Sequence, residues 1–267
     1  MSTLRLVVSD VDGTLVTSTK ELSESTIGAV ARLRDAGVAL ALTSGRPPRG
    51  LTSLVTPLAL SMPLAGFNGG LVVSPELVTL LERALPPDTL AECRRVLEDA
   101  GLDVWVYRGR DWYVSNPDAA HVARESATVG FEPTVLEDLG QLTEGVVKFV
   151  GVSDDPDAVA RGHEAMREHF ADRLTVATSQ PYYLDVTNRD ANKGGVIDYL
   201  CATYGFASDE VAAIGDTETD VSMFERAGVS IAMGNATPSV QRSADFVTRS
   251  NDDEGFAHAV ATFVLDA

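Results

Sequence analysis

Four short segments carry side chains suited to chemistry on an anionic oxygen centre. In Asp10-Val11-Asp12-Gly13-Thr14-Leu15, two carboxylates stand at i and i+2, so they project to one side of an extended chain. Gly13 then allows the backbone to turn sharply. Ser44-Gly45-Arg46 offers a hydroxyl beside backbone N–H groups that can hold phosphate oxygens, with a guanidinium next to it. Asn192-Lys193-Gly194-Gly195 precedes a helical pattern over residues 196–204. A lysine there opposes the helix macrodipole by about 0.3–1 kcal/mol, a conflict that a bound anion would remove. In Gly215-Asp216-Thr217-Glu218-Thr219-Asp220, two further aspartates stand four residues apart. Carboxylates gathered in this way suit Mg²⁺, which takes few protein ligands and keeps several waters. Taken singly, each segment also reads as an acidic turn, a strand-to-loop transition or an exposed lysine.

The surrounding pattern places these segments at the ends of strands. Residues 4–8 form an apolar run that ends at Asp10. Ser23 opens a helical pattern with Ile27, Val30, Ala31 and Leu33, and Gly37 closes it. A second apolar run, 38–42, ends at Ser44. Toward the other end, strands are predicted over 211–214, 229–233 and 245–248, with a helix over 221–227. Continuous apolar strands alternating with amphipathic helices describe a parallel sheet covered on both faces, and ligands bind at the carboxyl ends of such strands. The fold class expected is therefore α/β, with a Rossmann-like, doubly wound parallel core.

The middle of the chain differs. Strands at 104–107, 112–114, 146–152 and 182–186 carry aromatics and alternate, which suits a sheet with one solvated face. Helical patterns near 87–100, 117–129 and 156–170 separate them. An α+β insertion at 85–186, interrupting a core made of 1–84 and 187–267, is the simplest organisation.

The chain has 267 residues, 45% hydrophobic and 22% charged, which is an ordinary globular composition. Its net charge of −18 argues against nucleic acid or an anionic membrane surface as a partner. Only Lys20, Lys148 and Lys193 are lysines, so the position of each is informative. Cys93 and Cys201 lack metal or redox spacing and read as reduced thiols. The opening MSTLRLVVSD lacks the apolar region of a secretion signal, and no run approaches the roughly 18 apolar residues of a membrane span. A soluble cytoplasmic protein is expected.

In their order, the four segments resemble the haloacid dehalogenase-like (HAD) superfamily: DVDGTL as its first motif, SGR as its second, the lysine of NKGG as its third and GDTETD as its fourth. GFNGGLVV at 66–73 and the stretch 231–255 are similar to the Cof-type subfamily, which carries a large α/β cap. The resemblance implies a Mg²⁺-dependent phosphatase acting on a small phosphorylated metabolite, with a sugar phosphate as the expected class. It implies Asp10 as the nucleophile that forms an aspartyl-phosphate, and Asp12 as general acid and then base. Ser44, Gly45, Arg46, Lys193 and Thr219 would meet the substrate. The metal would be held by Asp10, the backbone carbonyl of Asp12 and Asp216, with Asp220 orienting Lys193 or a metal-bound water. Thr219 stands where the subfamily usually has asparagine, which puts any substrate contact of that asparagine in doubt. A phosphomutase of the same superfamily and a catalytically silent phosphate-binding module are the competing readings, and the chain is expected to be a monomer or homodimer. Trp105, Tyr107, Trp112, Tyr182 and Tyr183 read mainly as core or strand-surface residues of the insertion, with pocket lining as the other reading. Arg49, like Arg46, reads equally as substrate-facing or as part of a solvated loop. His121, His163, His169 and His258 show no ligand spacing.

Overall fold

The computed structural model describes residues 3–266; positions 1, 2 and 267, the outer ends of the expected core segments, lie outside the described residues. The strands are β1 (Leu6–Ser9), β2 (Ala39–Thr43), β3 (Leu64–Gly66), β4 (Leu71–Val73) and β5 (Thr79–Glu82), then β6 (Asp103–Arg108), β7 (Asp111–Val114), β8 (Thr134–Val135), β9 (Val146–Val152), β10 (Leu174–Gln180) and β11 (Tyr183–Asn188). The chain then adds β12 (Val211–Gly215), β13 (Val229–Ala232) and β14 (Phe246–Val247). One sheet has the order β14-β13-β12-β1-β2-β3-β4-β5, and the second has the order β10-β11-β9-β6-β7-β8.

In the first sheet, every pairing from β14 across to β3 is parallel, and β4 alone is reversed, pairing antiparallel with both β3 and β5. Each residue of β1 is buried, as a central parallel strand requires. Leu6 and Val8 pack with Val196, Ile197 and Leu200 of the helix Gly194–Tyr204, whereas Val7 joins Leu33 and Val260 on the opposite side. Alternate side chains thus feed two apolar layers, and the expected doubly wound core is present. The helix Glu24–Asp35 begins where expected, because the Ser23 side chain accepts from the N–H of Thr26; Gly37, at φ +76°, ends the turn that follows it.

Three differences have local causes. The helix predicted over 117–129 begins only at Val122, since His121 takes a left-handed conformation at φ +67°. The segment predicted as a helix over 221–227 is α-helical only over Val221–Phe224, behind a 3₁₀ turn at Glu218–Asp220. The third concerns the second sheet, which lacks the solvated face that its alternation suggested. Val104, Val106 and Phe149 pack under the helices Leu90–Asp99 and Pro156–Phe170. Trp105, Tyr107 and Trp112 join the apolar layer of the first sheet, with the Phe67 and Tyr107 ring centroids 5.1 Å apart. Both faces are therefore covered over β6 and β9, and exposure is concentrated at the two edge strands, β10 and β8. Among the described residues, no helix is long and apolar enough to cross a membrane.

Candidate active site

The carboxyl ends of β1, β2 and β12 meet at one edge of the first sheet. Asp10 directly follows β1, and its N–H donates to the Ile214 carbonyl at 2.9 Å, so the register of β1 on β12 carries through to the aspartate. Only Gly fits at position 13, where φ is +83° and a Cβ would lie 2.3 Å from Asp216 Oδ2. This close approach lets the first and fourth motifs share one site. Thr14 Oγ1 donates to Asp216 Oδ1 at 3.0 Å, while Asn235 Nδ2 reaches Asp216 Oδ2 at 3.3 Å and the Gly13 carbonyl at 2.9 Å.

Lys193 is 2% exposed, and its Nζ donates to Asp10 Oδ1 and Asp220 Oδ1, each at 2.6 Å. The macrodipole conflict is thus resolved by two of the protein's own carboxylates. The first N–H groups of the helix have their own acceptors, Asn192 Oδ1 for Gly195 and Ser222 Oγ for Gly194. Asp220 is fully buried and fully engaged: besides Lys193, it accepts through Oδ2 from the N–H groups of Asp216 and Thr217 and from the Thr217 hydroxyl.

Asp10, Asp216 and Asp220 each bring a carboxylate oxygen within 4.8 Å of the others, and Asp10 Oδ2 is buried without any partner. Burial pushes the Asp10 carboxyl up, to about 8, against the pull of Lys193, and Asp220 and Asp216 add to the rise. Burial likewise raises Asp216, with Asp220 as its next cause. For Lys193, burial disfavours the ammonium, but Asp10 and Asp220 together hold it above the usual lysine range. Three carboxylates against one ammonium leave a buried negative excess, and a hard divalent cation fits both this donor set and the orphaned oxygen.

The Asp12 side chain turns away from this group. It accepts from Arg46 Nε at 2.7 Å, from Arg46 Nη2 at 2.5 Å and from Lys20 Nζ at 2.6 Å. Partial burial would raise its carboxyl, but Arg46 and Lys20 outweigh that and hold it below the usual aspartate range. Ser44 is buried, its Oγ accepting from the Arg46 N–H at 3.1 Å. Thr219 is exposed and pairs with the Thr217 hydroxyl at 2.8 Å.

These groups line a cleft of about 780 Å³ whose opposite wall belongs to the second sheet. All three lysines reach it, Lys148 from β9. Of the aromatic residues, Tyr182 and Tyr183 line the cleft, whereas Trp105 and Trp112 are core. Arg49 does not line the cleft; it pairs with Asp111 of β7 and lies 4.3 Å over the Phe131 ring. His121 meets Asp154, His258 meets Thr248 and His169 meets the Ala165 carbonyl, so these three serve local structure. Sequence reasoning assigned nothing to Thr14, Asn235, Arg124 or Lys148. The first two sit inside matched motifs, but no local signal marks the last two.

The match to the family description "haloacid dehalogenase-like hydrolase" spans residues 7–260. A crystal structure of a haloacid dehalogenase-like hydrolase from Bacteroides thetaiotaomicron superposes with a TM-score of 0.89 at 28% identity, covering 97% of this chain and 98% of that one. The pyridoxal phosphate phosphatase YbhA of Escherichia coli is 26% identical over 276 residues, which is 98% of this chain and all of that protein (100%). The phosphatase YwpJ of Bacillus subtilis is 25% identical over 281 residues, covering 96% of this chain and 98% of that protein. With four motifs converging on one sheet edge and the match running nearly end to end, this chain belongs to the haloacid dehalogenase-like hydrolase family, in its Cof-type branch.

Proposed function

We propose that the enzyme is a Mg²⁺-dependent phosphatase that hydrolyses small phosphate monoesters, sugar phosphates being the expected class, in the cytoplasm. One observation carries this reading above the others. Asp10 faces the cleft with one oxygen held by a buried lysine and the other buried without a partner. A carboxylate approaching a phosphate meets repulsion of about 4 kcal/mol per charge pair at 4 Å and an effective dielectric of 20. Asp10, Asp216 and the Asp12 carbonyl would hold Mg²⁺, which when bound supplies positive charge against that repulsion and orients the phosphate.

The remaining work falls to side chains. Asp10 Oδ1 attacks phosphorus in line while the bond to the leaving oxygen breaks, and Asp12 gives that oxygen its proton. In the second half, Asp12 takes a proton from water as the water oxygen attacks phosphorus, releasing inorganic phosphate and restoring the Asp10 carboxylate. Arg46 and Lys20 keep Asp12 ionised while the cleft holds no phosphate. A phosphate dianion competes for both cations, and their departure from Asp12 raises its proton affinity for the acid step. Ser44 positions phosphate oxygens, and Asp220 holds Lys193 in place. The segment 85–186, which holds all of the second sheet but the end of β11, serves as the cap over a core formed by 1–84 and 187–267, choosing the leaving group and excluding water.

Hydrolysis of p-nitrophenyl phosphate by wild type and Asp10→Asn, with Mg²⁺ and with EDTA, tests this reading. Metal-dependent release of free phosphate that the substitution abolishes is expected. Absent wild-type turnover, or turnover that survives in Asp10→Asn, refutes it. Stoichiometric phosphate release from a sugar phosphate without an activating bisphosphate separates hydrolysis from mutase chemistry.

A further inference from the structure

Beside the carboxylate cluster lies a hydrogen-bonded clamp that the chemistry above does not use. Asn235 donates through Nδ2 to the Gly13 carbonyl at 2.9 Å and to Asp216 Oδ2 at 3.3 Å, while its Oδ1 accepts from the N–H of Asn251 at 3.0 Å. One end of the amide meets two acceptors and the other end a donor, so a single orientation satisfies all three bonds. The flipped amide would set its oxygen against the Asp216 carboxylate. Asn235 is exposed, so these partners alone fix its side chain.

Asn251 is held in turn by contacts distant in sequence. Its Nδ2 donates to the Val16 carbonyl at 3.0 Å, across 235 positions, and beside it Asp252 Oδ1 accepts from the Ser18 N–H at 2.8 Å. The segment 249–255, with its 3₁₀ turn at Asn251–Asp253, is closed on both sides. The Gly234 N–H donates to the Arg249 carbonyl, and the Gly255 N–H to the Ser250 carbonyl, each at 2.9 Å. A Cβ at Gly255 would lie 2.2 Å from the Arg249 carbonyl oxygen, so this closure requires glycine. One turn therefore grips the loop that follows Asp12 and also the residue that meets Asp216. Thr14 already holds Asp216 Oδ1, and Asn235 supplies the second tether, on Oδ2. The same amide pins the carbonyl of Gly13, the residue with the greatest backbone freedom beside Asp12.

Mg²⁺ demands near-ideal octahedral geometry, so the groups behind its ligands control how well those ligands are presented. Resting on the reading of Asp10, Asp12 and Asp216 as Mg²⁺ ligands, we infer that Asn235 and Asn251 are positioning residues of the metal site. The 249–255 turn fixes the Asn235 amide, and that amide fixes the spacing between Asp216 and the Asp12–Gly13 turn. Both residues act through the ligands rather than as ligands.

The test is the Mg²⁺ dissociation constant of the folded, substrate-free protein, measured by isothermal titration calorimetry. Asp216→Ala serves as the blank for Mg²⁺ held elsewhere on an acidic surface. Asn235→Ala is expected to weaken binding at least about tenfold, and Asn251→Ala to weaken it by a smaller factor. The double variant is expected to bind no more weakly than Asn235→Ala alone, because the effect of Asn251 travels through Asn235. A merely structural role would lower the melting temperature and leave the dissociation constant of the folded protein unmoved, so an unmoved constant in either single variant overturns the inference. Factors that multiply in the double variant overturn the route through Asn235. Either result leaves the metal reading standing, whereas a wild type indistinguishable from the blank removes that reading and the inference with it. Asn251→Leu keeps the shape of the side chain and loses its donor, so it decides the matter if Asn251→Ala fails to fold.

Discussion

Replacing Lys193 with methionine keeps the length and apolar stem of the side chain and removes its charge. The ammonium touches Asp10 and Asp220 at 2.6 Å each. At an effective dielectric of about 20, each contact has a gross Coulomb energy of about 6 kcal/mol, most of which offsets the desolvation of the three buried ions. What remains when one partner of such a set is removed is typically about 3–5 kcal/mol of lost stability. The loss is unequal between the two aspartates. Asp220 keeps three donors on its Oδ2, whereas Asp10 keeps none on its own Oδ2. The pH dependence follows from that asymmetry. The Asp10 carboxyl is raised from 3.8 to about 8, so its protonated form favours folding, and this contribution is lost as pH rises through about 8. Lys193 pulls that carboxyl down, so in Lys193→Met it rises further and ionising it costs more. The stability gap between wild type and variant therefore widens from pH 6 to pH 8. Urea unfolding followed by circular dichroism in EDTA at both pH values measures it. A loss of about 3–5 kcal/mol is expected at pH 8 and a smaller one at pH 6. A loss below about 1 kcal/mol at pH 8, the range of an exposed ion pair, refutes the reasoning, as does a gap that narrows with rising pH.

Two further substitutions or probes test other parts of the architecture. Gly13→Ala places a methyl group 2.3 Å from Asp216 Oδ2 at φ +83°, so Asp216 must shift; Mg²⁺ affinity, read from the metal dependence of phosphate release, should fall at least about tenfold, with about 1–2 kcal/mol of backbone strain. An unchanged metal dependence would show that Asp216 does not set the metal affinity. Cys93 is fully buried and burial pushes its thiol up to about 12, so at pH 8 only about one molecule in ten thousand carries the thiolate. In a Cys201→Ser background, Ellman's reagent should label Cys93 only on unfolding, and labelling of the folded protein at the unfolded rate would contradict the burial.

Much of this protein is legible in the order of its residues. Apolar runs such as those ending at Asp10 and Ser44, alternating with amphipathic helical patterns, describe interior strands of a parallel sheet, because neither face of such a strand is left to water. Ser23 and Gly37 bracket their helix by local hydrogen bonding and backbone freedom alone. The four motifs are legible for the same reason: each is a strand end or helix start whose chemistry lies within a few residues. The net charge of −18 misleads only if it is taken as uniform, since part of the acidic excess is the Asp10–Asp216–Asp220 cluster itself.

What the tertiary structure alone decides is which of these groups meet. Asp10 and Lys193 stand 183 positions apart and close to 2.6 Å because the helix that Lys193 opens packs Val196, Ile197 and Leu200 against Leu6 and Val8 of β1. The lysine at a helix start, an electrostatic conflict when taken locally, becomes the buried centre of two ion pairs. The alternation of the middle strands pointed to a solvated face, yet the aromatic face is covered because a second body of structure packs there, which no local periodicity encodes. Lys20 and Lys148 give no sign in the sequence of belonging with Lys193. Charge and hydrogen bonding act through space over a few ångströms, and only the folded chain sets those distances.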